Sequence, residues 1–147
     1  MADSIKVQVM QNLAEVLGAI PDLGSVHRWQ GSPTDLDRVK LPALFFWDEE
    51  EARDKRNRLA MGTLKLYVAV FIRLSPSGAA SFNDAADNLQ GKLHNALIGT
   101  AGLKGLVENL QEERVWKEFP NDQYGVLFMS FTLTYGHAWG DAFSTTY

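Results

Sequence analysis

The chain has 147 residues, no cysteine and a net charge of −4. That length suits one folded unit, residues 1–147, and the absence of cysteine removes disulfides, thiolate metal sites and cysteine nucleophiles. The acidic balance argues against tight nucleic-acid binding, the 46% apolar fraction against a disordered chain, and the lack of an apolar run near the roughly 20 residues of a membrane helix against a membrane partner.

Asp3 to Ile20 sets Ile5, Val9, Leu13, Val16, Leu17 and Ile20 on one stripe, the i, i+3, i+4 spacing of an amphipathic helix. Asp3 or Ser4 can cap it, and Pro21 stops it by lacking the next donor. Ser25 to Gln30 alternates enough for a short half-buried strand, while Gly31 to Arg38 is rich in turn formers and reads as an exposed loop. A second strand follows, Leu41-Pro-Ala-Leu-Phe-Phe-Trp47, in which Pro42 requires either a sheet edge or a place just before pairing begins.

Asp48 to Arg58 is charged almost throughout and is predicted to be a solvated link. The next strand, Thr63 to Leu74, lines one face with Leu64, Leu66, Val68, Val70, Ile72 and Leu74. Its other face carries Tyr67, Ala69 and Phe71, so it belongs mid-sheet. Ser81-Phe-Asn-Asp84 has capping-box spacing and opens a second helix with Phe82, Ala85, Ala86, Leu89, Leu93, Ala96 and Leu97 on its stripe and Gly99 at its end. Thr100 to Val107 reads as irregular. A fourth strand within Asn109 to Phe119, the turn Pro120-Asn-Asp-Gln and a fifth strand from Tyr124 to Tyr135 make a hairpin. The expected fold is α+β, a mostly antiparallel sheet of about four to five strands with two helices packed on one face.

Motifs for catalysis are missing. His27, His94 and His137 are scattered, with no His-x-x-x-His pair for a metal and no Gly-x-Ser-x-Gly elbow for a nucleophile. Asp35 and Asp37 fall where aspartate favours turns, and Asp84 and Asp87 fall early in a helix, where the macrodipole stabilises negative charge. Gly99, Gly102 and Gly105 lack the spacing of a dinucleotide or phosphate loop. No catalytic residue, cofactor or metal is expected.

Interface candidates are easier to find. The charged link is acidic first, with Glu49, Glu50 and Glu51 after Asp48, and mainly basic later, with Arg53, Lys55, Arg56 and Arg58. It reads either as a solvated loop with internal pairs such as Glu51 with Lys55, or as a head-to-tail contact in which the acidic half of one subunit meets the basic half of the next. Of four tryptophans, Trp29 and Trp139 are candidates for subunit contacts, while Trp47 and Trp116 also lie near strand ends. Gly91 sits on the polar side of the second helix, where it costs about 1 kcal/mol relative to alanine and suits a close approach by another backbone.

This order of pieces resembles the tail-terminator, or tail-completion, proteins of long-tailed bacteriophages, including minor tail proteins that cap the tube of lambda-like phages. The likeness spans nearly the whole chain. It rests on the N-terminal helix, the strand entry Leu41-Pro-Ala-Leu, the strand Leu64 to Leu74, the cadence Ala86-Asp-Asn-Leu-Gln-Gly-Lys-Leu-His-Asn-Ala-Leu, and the run into Tyr135-Gly-His and Gly140-Asp141. The resemblance implies a virion structural protein that forms a homo-oligomeric ring, usually a hexamer, on the end of the tail tube. Such a ring stops polymerisation of the tube protein and presents a surface to the head connector, with genomic DNA passing through the lumen unheld. Assembly in the host cytoplasm is expected, since Met-Ala-Asp-Ser is not a signal peptide.

Close alternatives are a head-tail connector or another minor tail component. From other classes, a small hydrolase or ligand-binding domain would use the loops beside Asp35 and Asp37, and an adaptor or chaperone-like module would leave the finished particle.

Overall fold

A computed structural model of the chain describes residues 4–29, 39–56, 59–74, 79–98 and 107–138, with the backbone alone at 50–56, 59, 79–80 and 137–138. Its elements are α1 (Ile5–Gly18), β1 (Ser25–Arg28), β2 (Ala43–Arg56), β3 (Leu59–Arg73), α2 (Ala79–Ile98), β4 (Val107–Glu118) and β5 (Tyr124–Ala138). The strands form one sheet in the order β1-β2-β3-β5-β4. Only β1 and β2 run parallel; the other three pairings are antiparallel.

Helix α1 follows its sequence pattern closely. Ser4 is the N-cap and its Oγ accepts from the Val7 N–H at 3.2 Å. Ile5, Val9, Leu13, Leu17 and Ile20 are buried as their spacing requires, and Met10 joins them. Regular helix ends at Gly18, and the last turn tightens as Ile20 N–H donates to the Leu17 carbonyl.

Strand β3 is central, flanked along its length by β2 and β5, which explains why both of its faces are apolar. Leu64, Leu66, Val68, Val70 and Ile72 share a face with Leu44 and Phe46 of β2 and with Leu127, Met129, Phe131, Leu133 and Tyr135 of β5. Both helices pack on that face. Two glycines permit the closest approaches there. A Cβ at Gly62 would stand 2.7 Å from the Tyr135 ring, and one at Gly125 would overlap the ring of Phe82 on α2. Polar ties fix the helices as well: Lys117 of β4 reaches Asp87 and Asn83 of α2 at 2.8 and 3.2 Å, and Lys92 of α2 pairs with Asp22, which is held at φ 73° in the turn after α1.

Two expectations change. The charged segment after Trp47 is not a link: β2 continues through it to Arg56, and β3 begins at Leu59, so the two strands form one long antiparallel pair. Backbone pairing with β3 carries the strand where an apolar pattern is absent. Helix α2 starts at Ala79, two residues before Ser81, so Ser81 and Asp84 lie inside the helix and form no capping box; Ala79 and Ala80 are strong helix formers that extend it. Of the two places expected for Pro42 the structure shows the second, just before pairing begins, since β2 is an inner strand at that point. The proline precedes the first paired residue, follows a cis Leu41–Pro42 peptide, and its carbonyl accepts from Gly24 N–H at 2.8 Å. The fourth and fifth strands form the expected hairpin, and Asn121 Oδ1 holds its turn by accepting from the Gln123 and Tyr124 N–H groups at 2.8 and 3.0 Å.

Candidate assembly surface

The face of the sheet opposite the helices carries no helix among the described residues. The pairing register runs an aromatic row across it, from His27 of β1 to Phe45 of β2, Ala69 of β3, Phe128 of β5 and Trp116 of β4. His27 stacks on Phe45 at 5.0 Å, Phe71 meets Phe45 edge-on at 5.6 Å, and Trp116 lies flat on Phe128 at 5.1 Å with the Arg114 guanidinium 4.6 Å above it. One row away Trp47 stacks on Tyr67 at 5.7 Å. Packing among these rings buries Phe45, Ala69 and Val126, while Trp47, Tyr67, Phe71, Phe128 and Trp116 stay half-buried. The row ends in Trp29, 38% exposed and edge-on to Phe45.

The apolar character of this face was readable in Tyr67, Ala69 and Phe71. The part of Trp47 and Trp116 was not, because cross-strand register alone brings them to the same surface.

The remaining predicted contact residues are spread out. Glu49 is exposed and accepts from Trp47 Nε1 at 3.2 Å. The next residue inward, Asp48, faces the helices, where it pairs with Lys6 of α1 at 3.1 Å and Arg28 of β1 at 3.5 Å. Glu50, Glu51, Arg53, Lys55 and Arg56 follow in order along β2. Extended backbone separates positions 51 and 55 by roughly 13 Å, so they are not the neighbours that a compact loop would make of them. Gly91 is exposed on α2, and a Cβ there would meet nothing within 4 Å among the described residues, so none of their backbone approaches it. Arg58 and Trp139 lie outside the described residues, as do Asp35 and Asp37 and the glycines 99, 102 and 105.

Titratable groups do not converge on a reaction centre among the described residues. His27 is half-buried with Nε2 lacking a hydrogen-bond partner, and His94 stands exposed on α2 with Nδ1 3.4 Å from Glu112 of β4. No group of three His, Asp or Glu side chains that could hold a metal occurs among the described residues. A groove of about 460 Å³ runs between α1 and β1, lined by Met10, Ala14, Leu23, Val26, Arg28 and Phe46. Its one charged member, Arg28, is the partner of Asp48.

No family model and no curated protein matches the chain. Among solved structures it is similar to a chain from the virion of a native gene transfer agent particle, at 13% identity and a TM-score of 0.47, covering 90% of this chain and 95% of that one.

Proposed function

We propose that this chain is a virion structural subunit of a phage-like particle, working by assembly with other protein subunits rather than by catalysis. The observation that carries the reading is the sheet face that bears no helix among the described residues. Half-buried rings from all five strands (His27, Trp47, Tyr67, Phe71, Phe128 and Trp116) lie on it around buried Phe45, beside exposed Trp29, which is the kind of surface that protein contacts cover. Together with the sequence resemblance, this supports a tail terminator: a ring of six copies that caps the tail tube, stops its polymerisation and offers a surface to the head connector. The acidic net charge suits a lumen through which DNA slides, because each phosphate contact would add affinity that passage must break.

Light scattering on size-fractionated protein, with and without tube protein, tests the reading. Capping of tubes by a ring supports it. A chain that neither binds tube ends nor limits tube length overturns it. Labelling on virions separates a terminator from a connector or other minor tail component by its position along the particle.

A further inference from the structure

We propose that two copies of this chain pair antiparallel through the outer edge of β2, centred on Ala52. Strand β1 covers that edge only from Ala43 to Phe46, and the Trp29 N–H to Phe46 carbonyl bond at 2.9 Å is the last across it among the described residues. Strand β2 nevertheless runs on to Arg56, paired on its inner side with β3 as far as Leu59. Beyond Phe46 its outer edge is bare among the described residues, and a bare edge is a template for another strand.

Charge order selects the occupant. Charges of one sign along an edge repel a second copy, which is how many proteins protect such edges. Here the sign reverses at Ala52: Asp48, Glu49, Glu50 and Glu51 precede it, and Arg53, Lys55 and Arg56 follow it, with Asp54 the exception. A parallel copy in register places like on like. A reversed copy places opposite on opposite.

Symmetry narrows the register. Two identical antiparallel strands lie side by side, with matching faces, only when a two-fold axis passes through the sheet, and that axis sets one residue against its own copy. With Ala52 on the axis, position 51 of each copy faces position 53 of the other on the same sheet face, which sets Glu51 against Arg53 twice; Asp48 and Glu49 lie beyond the bulge, where the strand changes face, and are not part of the ladder. The bulge between Asp48 and Glu51 twists the edge, so the 51 and 53 positions form the centre of the pairing. Neighbours in a cyclic ring are not related by a two-fold axis, so this contact joins free subunits and does not rest on the terminator reading.

The test is the mass of the full chain by light scattering at low salt, where surface charges are least screened. The wild type is expected as two copies. Glu51→Arg alone and Arg53→Glu alone each place like charges at both central pairs, and each is expected to weaken dimerisation roughly tenfold or more. The double variant Glu51→Arg/Arg53→Glu restores the dimer, and so does an equimolar mixture of the two single variants, which also shows that both are folded. A single-copy wild type, single variants that dimerise like the wild type, or a mixture that stays monomeric overturns the proposal. A six-copy ring indifferent to these changes supports the terminator reading and overturns this one.

Discussion

Gly62 on β3 leaves room for the ring of Tyr135 on β5, its partner in the pairing register, and Tyr135 is fully buried in consequence. A methyl group at residue 62 has nowhere to go without moving that ring. Gly62→Ala is expected to cost about 1–3 kcal/mol in urea unfolding. Unchanged stability would show that the ring has an alternative seat.

Gly91 presents the opposite case, since it lies in an exposed helix interior facing open space among the described residues. Gly91→Ala should stabilise the isolated chain by about 0.5–1 kcal/mol, through helix propensity and a less disordered unfolded state. If another subunit packs against this glycine, the same variant loses tube capping while its melting temperature rises. Stability and capping that both rise or hold remove Gly91 from the interface.

Leu13 is wholly buried between α1 and the sheet, whereas Val7 on the same helix is 38% exposed. Leu13→Ala is expected to destabilise by about 2–5 kcal/mol and Val7→Ala by no more than about 0.5 kcal/mol. Similar losses from both, read from denaturation midpoints, would mean that the helix packs on the sheet in another orientation.

Trp47 and Tyr67 tile the sheet face opposite the helices and are only half-buried. Trp47→Ser/Tyr67→Ser is expected to leave far-UV circular dichroism unchanged and to abolish tube capping, because large aromatic side chains carry much of the energy of protein contacts. Capping that survives the double change locates the contact surface elsewhere.

Periodicity made α1 and β3 legible, because burial repeats every 3.6 residues in one and on both faces of the other. The distal half of β2 carries no such repeat. Acidic and basic residues are poor strand formers, and the hairpin pairing with Leu59 to Leu64 holds them extended through the backbone, which an apolar pattern does not register. The aromatic surface was half legible for a related reason. Tyr67 and Phe71 advertise it within one strand, but bringing Trp47 and Trp116 beside them depends on the pairing of four different strands.

The placement of β3 between β2 and β5 also sets a timetable. Its first neighbour emerges just before it during synthesis, but its second comes only after α2 and β4, with Leu59 waiting for Ala138. The sheet therefore cannot close until almost the whole chain has left the ribosome. Folding that waits on a distant strand pairing such as that of β3 with β5 falls in the millisecond-to-second class. Throughout that interval one side of the most apolar strand stands open, which makes the nascent chain, rather than the finished one, the form most exposed to aggregation.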